Sequence, residues 1–141
     1  MQRHFVQELE SLKTNIIKMA TFAEGAIADA IQSLLQRNID IANQVLAKEE
    51  RINGLEIEID DAVVDILALQ QPVATDLRFI LAVSKITNEL ERIGDHAVNI
   101  AQSSIQLCQC PPVKPLIDIP AMADVTKLML RNAIDGFIHK E

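Results

Sequence analysis

The stretch FVQELESLKTNIIKMATFAEGAIADAIQSL, residues 5–34, decides the fold. Its apolar residues recur as Phe5, Leu9, Leu12, Ile16, Met19, Ala23, Ile27, Ala30 and Leu34, alternating steps of three and four. That spacing draws one stripe down an α-helix. Glu8, Lys13, Lys18, Glu24 and Gln32 fall off the stripe and leave the other side to solvent. A helix from about residue 3 to about residue 36 is roughly 50 Å long at 1.5 Å per residue, which suits an elongated bundle.

Outward from this helix, Arg37-Asn38-Ile39-Asp40 reads as a stop and restart. Asn38 is suited to a left-handed position after the first helix, and Asp40 to the N-cap of a second. The second stripe is Val45, Ile52, Leu55, Ile59, Val63 and Ile66, ending before Gln70-Gln71-Pro72 because proline disfavours helical geometry in the residue before it. Thr75 is placed to cap a third helix, with Asp76 in its first turn and a stripe of Val83, Ile86, Leu90, Ile93, Ala97, Ile100 and Leu107. Short connections make consecutive helices antiparallel, so the expected fold is all-α, an up-down-up three-helix bundle over residues 1–110. Pro111, Pro112 and Pro115 open a linker at residues 111–120. A partial fourth helix over residues 121–141 carries Met122, Val125, Leu128, Met129, Asn132 and Phe137, with no visible partner within the chain. An apolar face left in this way predicts a homodimer held by that segment.

Composition agrees. The 141 residues include no Trp, no Tyr and only four Phe and four Gly, which disfavours strands. The formal charge is −7, and Lys and Arg are scattered singly, so nucleic acid is not the expected partner. The first residues are polar and charged without an apolar signal region, and no run approaches the ~20 apolar residues of a membrane span. The expectation is a cytoplasmic protein. Cys108 and Cys110, one residue apart, give no disulfide framework and read as two reduced thiols at a fraying helix end.

A second, polar stripe runs along helix three through Ser84, Asn88, Glu91, Asp95, Asn99 and Gln102. Glu91 and Asp95, four apart, are neighbours on one face and repel unless a cation sits between them. Helix two repeats the spacing with Glu56 and Asp60, and Glu49 and Asn53 extend that row. Acidic residues four apart are common on solvated helices; two copies on adjacent helices, flanked by amides, raise the case for a cation site. Convergence is plausible from the antiparallel packing, though counting from the turn leaves the pairs about one helical turn out of register. Enzymatic chemistry finds no support: there is no Glu-x-x-His, no nucleophile elbow and no Gly-rich phosphate loop, and His96 stands off the Glu91 face.

Gln70 to Arg78, reading QQPVATDLR, and Leu90 to Ile100, reading LERIGDHAVNI, resemble the PhoU family of phosphate-signalling proteins. The Phe5 to Met19 pattern and INGLEIEID from Ile52 to Asp60 are also similar to it. The resemblance implies two three-helix bundles in tandem, of which this chain is approximately the N-terminal half, either cut short or a half-length homologue. It implies iron or zinc, in multinuclear clusters, with Glu56, Asp60, Glu91 and Asp95 as metal ligands. It further implies a non-catalytic negative regulator of phosphate-starvation signalling and phosphate uptake. Its partners would be the phosphate ABC transporter ATPase and a membrane histidine kinase, which alone would bring it to the membrane. The alternative is a helical oligomerisation module without a metal site.

Overall fold

A computed structural model describes residues 2–110 and 118–139. These form four α-helices: α1 (Gln2–Gln36), α2 (Ile39–Gln70), α3 (Ala74–Leu107) and α4 (Asp118–His139). The first three pack on one another pairwise as the expected up-down-up bundle, and α4 lies along α1.

The joints differ in detail from the sequence reading. Arg37, not Asn38, takes the left-handed conformation after α1, with φ 52. The Asn38 N–H then donates to the Ser33 carbonyl at 3.0 Å, closing the end of α1. This frees Asn38, rather than Asp40, to cap α2: its side-chain oxygen accepts from the Ile41 N–H at 3.2 Å. At the next joint Gln71 is left-handed at φ 45, and extended Val73 caps α3 with backbone alone. Thr75 therefore lies inside the helix, two residues past the capping position. Asp76 does fall in the first turn, where its charge complements the helix dipole.

The core is built from narrow side chains. Leu12, Ile16, Met19, Ala23, Ala26 and Ala30 of α1 meet Val45, Ile52, Ile59 and Ile66 of α2 and Ile80, Val83, Leu90, Ala97 and Ala101 of α3. Leu55, Ile86, Ile93 and Ile100, placed in the core stripes by spacing, are partly buried at its margin. Leu107, placed with them, is exposed at the end of α3. The axis positions go instead to Thr87, Gly94 and Ser104, because small residues let the helices approach. Gly94 shows this directly: a Cβ there would stand 3.2 Å from the Ile52 Cδ1, so the missing side chain lets α2 press against the α3 backbone.

The fourth helix corrects two expectations. Helix begins at Asp118, inside the segment assigned to the linker, with Pro120 in the first turn, where the N–H that proline lacks would have no intrahelical acceptor. Residues 111–117 of that linker lie outside the described residues. Nor is the helix without a partner: Leu130, Ile134 and Phe137, spaced by four and three, pack against the core margin. Phe137 stacks on Phe79 of α3 with ring centroids 5.4 Å apart, and Arg131 pairs with Glu24 of α1. Val125, Leu128 and Met129 are exposed; of the apolar face expected from sequence, Phe137 is the member that packs inward, and the Met122 side chain lies outside the described residues.

Candidate metal centre

The two polar rows meet in the groove between α2 and α3. Because the helices are antiparallel and Gly94 abuts Ile52, residues flanking Ile52 on α2 stand level with those flanking Gly94 on α3. Glu49 and Glu56, two turns apart, are thus brought to Glu91 and Asp95, one turn apart. The electrostatics report the meeting. Glu91 is raised above the ordinary glutamate range by partial burial, by a side-chain hydrogen bond with Asp95 and by the charges of Asp95, Glu56 and Glu49. Glu49, on the other helix, is raised by burial, by the charge of Asp95 and by a hydrogen bond with it. Glu56 is raised by burial, then by Asp60 and Asp95. Four carboxylates from two helices therefore crowd one stretch of groove, and their deprotonated forms work against one another.

Three of the expected residues, Glu56, Glu91 and Asp95, come together. Asp60 is exposed and bears on Glu56 along its own helix, whereas the charges acting on Glu49 and Glu91 come from the quartet alone. The fourth member is Glu49, which the sequence marked only as an extension of the row. The seven-residue separation of Glu49 and Glu56 was the available signal, since it returns to the same helix face after two turns. The register set by the Ile52–Gly94 contact selected it. His96 is exposed and borders a small apolar hollow shared with Ile27, Ile93, Lys127 and Leu130, on the α4 side of α3 rather than in the acidic groove.

An oxygen-only donor set of this charge suits a hard or borderline divalent cation. The groove is open: among the described residues, no group of three or more His, Cys, Asp or Glu stands arranged to hold a metal ion. The two observations answer different questions. The carboxylates are close enough to feel one another's charge, yet their side chains do not close on a common point, as expected where no counter-charge offsets their repulsion.

A slender helical bundle with a ridge of carboxylates on one face defines the class of protein. Residues 16–104 match the PhoU domain family, and the chain belongs to that family. It is 38% identical over 135 residues to a phosphate-specific transport system accessory protein PhoU homolog of Aquifex aeolicus, covering 96% of this chain and 61% of that protein. It is 34% identical over 133 residues to the phosphate-specific transport system accessory protein PhoU of Escherichia coli, covering 94% and 55%. The crystal structure of PhoU from Pseudomonas aeruginosa superposes with a TM-score of 0.91 at 34% identity, over 95% of this chain and 65% of that one. The chain thus spans little more than half the length of the curated relatives it matches. No helix among the described residues is long and apolar enough to cross a membrane.

Proposed function

We propose that this protein is a metal-binding regulatory adaptor without catalytic activity, acting in the cytoplasm as a negative regulator of phosphate-starvation signalling and phosphate uptake. In this reading it links the ATPase of the phosphate ABC transporter to a membrane histidine kinase. Family membership and the transport-accessory names of its relatives support the pathway. The observation that carries the metal site is the mutual crowding of Glu49, Glu56, Glu91 and Asp95 across the α2–α3 groove. These four, with Asp60 beside Glu56, would hold iron or zinc, singly or as a cluster, and the ion would supply the positive charge that the groove lacks.

The test is metal content after loading with iron or zinc. Glu91→Ala with Asp95→Ala is expected to remove most of the bound metal and leave helical content unchanged, because both side chains lie beside the core. Equal metal in parent and variant would refute the site. The competing reading, an oligomerisation module without metal, predicts no bound metal in either protein. Co-purification with the kinase and the transporter ATPase tests the adaptor role separately.

We further propose a homodimer, now through the outer face of α4, where Val125, Leu128 and Met129 are exposed together. Light scattering should give the dimer mass for the parent and the monomer mass for a Val125→Ser, Leu128→Ser, Met129→Ser variant. A parent that is monomeric at tens of micromolar would end this proposal.

A further inference from the structure

The outer face of α2 has the composition of a docking surface for a helix. Ile57 and Val64, two turns apart, are 60% and 62% exposed. Ala47, Gly54 and Ala68 run beside them, also exposed, and nothing lies within 4 Å of where a Cβ on Gly54 would stand. Small residues beside two branched ones make a shallow seam that a second helix can approach closely, at the spacing by which amphipathic helices are read.

Charge surrounds this seam with one sign. Glu50, Glu58, Asp61 and Asp65 are exposed along it, and none has an ion-pair partner among the described residues. Residues 52–77 contain no Lys and no Arg. The nearest basic groups of α2 are engaged toward α1: Lys48 pairs with Asp29 at 3.5 Å, and Arg51 lies over the Phe22 ring. Among the described residues the backbone of α4 approaches only α1, so this face of α2 is uncovered.

We infer that the outer face of α2 is the docking site for a basic amphipathic helix of another protein, its apolar stripe set on Ile57 and Val64 and its Lys or Arg residues reaching Glu50, Glu58, Asp61 and Asp65. Charge decides between occupants. A second copy of this chain would bring the same acidic face against itself, and like charge across an interface opposes binding. An anionic lipid surface is repelled for the same reason. A basic helix gains both steering and contact. The inference rests on the adaptor reading and names the chemistry of one partner segment; it does not depend on a metal.

The probe is a synthetic peptide of about 18 residues, five helical turns, with a leucine stripe flanked by lysines, followed by fluorescence polarisation at physiological salt. The parent chain should bind it, and Ile57→Ser with Val64→Ser should bind at least about tenfold more weakly at unchanged helical content. Asp61→Lys with Asp65→Lys, which leaves the apolar seam intact, should lose affinity as well. A scrambled peptide of the same composition, or phosphatidylserine vesicles, should bind poorly. Equal affinity for the Ile57→Ser, Val64→Ser variant or for the scrambled peptide would overturn the proposal. So would vesicle binding that this variant abolishes, or a fall in molecular mass of the free protein in the same variant, which would make the occupant a membrane or a second copy. The Glu91→Ala, Asp95→Ala variant should keep the peptide affinity, so that failure of the metal site and failure of this face are read independently, while co-purification judges the adaptor role.

Discussion

Helix α3 has two flanks of opposite character. Toward α2 it offers Glu91 and Asp95 to Glu49 and Glu56, an open acidic groove whose members repel. Toward α1 and α4 it offers Phe79, Ile86 and Ile93 to Leu130, Ile134 and Phe137, an apolar trench covered by a helix of the same chain. The trench stores stability and the groove gives some of it up. A flank maintained against its own electrostatic cost is the better candidate for binding, since a ligand of opposite charge recovers what folding loses there.

The firmest way to break this comparison is through the core that both flanks share. Leu90 is 1% exposed and central to α3, and Leu90→Ala is expected to destabilise the protein by about 2–4 kcal/mol in chemical denaturation. A loss below about 0.5 kcal/mol, the scale of a surface substitution, would show that α3 is not the common spine.

The apolar flank is tested by Phe137→Ala. Removing the ring that stacks on Phe79 should cost about 0.5–1.5 kcal/mol beyond the lost burial, felt first by α4. Amide exchange should quicken in residues 118–139 and hold steady in α2. Uniform loss of protection would mean that α4 and the bundle unfold as one unit.

The acidic flank should respond in the opposite direction, and by less. A carboxyl raised in the folded state makes the protein more stable below the unfolded-state pKa, and that gain is lost as pH rises through the folded value. Glu49, Glu56 and Glu91 are all raised, so at neutral pH the groove is at its least favourable. Glu91→Gln should therefore stabilise the metal-free protein at pH 7 by about 0.2–0.5 kcal/mol, the size of a like-charge pair on a helix. The gain should vanish once the pH falls below the ordinary glutamate range. Destabilisation at pH 7 would place Glu91 in a favourable pairing instead of a strained one.

Much of this molecule was legible in its residues. The alternation of three and four from Phe5 to Leu34 specified α1, Pro72 placed the α2–α3 turn, and Glu91 with Asp95 marked the flank that carries the acidic groove. These features are local: helical periodicity, the backbone limits of proline and the spacing of charges act within a few residues of chain. The joints were less legible, because Arg37, Asn38 and Gln71 could each serve more than one role. Only the closed turn showed that Arg37 accepts the left-handed position and leaves Asn38 to cap.

What tertiary structure alone decided is register and covering. Glu49 rather than Asp60 joins the quartet because Ile52 fits against the bare backbone at Gly94, and no periodicity within α2 states how far it slides along α3. The fourth helix turns Leu130, Ile134 and Phe137 inward against the core and leaves Val125, Leu128 and Met129 out, since a helix lays only one face on its neighbours. Both stripes of α4 are apolar enough to be buried, so its sequence offers two answers, and the choice between them is made by the shape of what lies opposite.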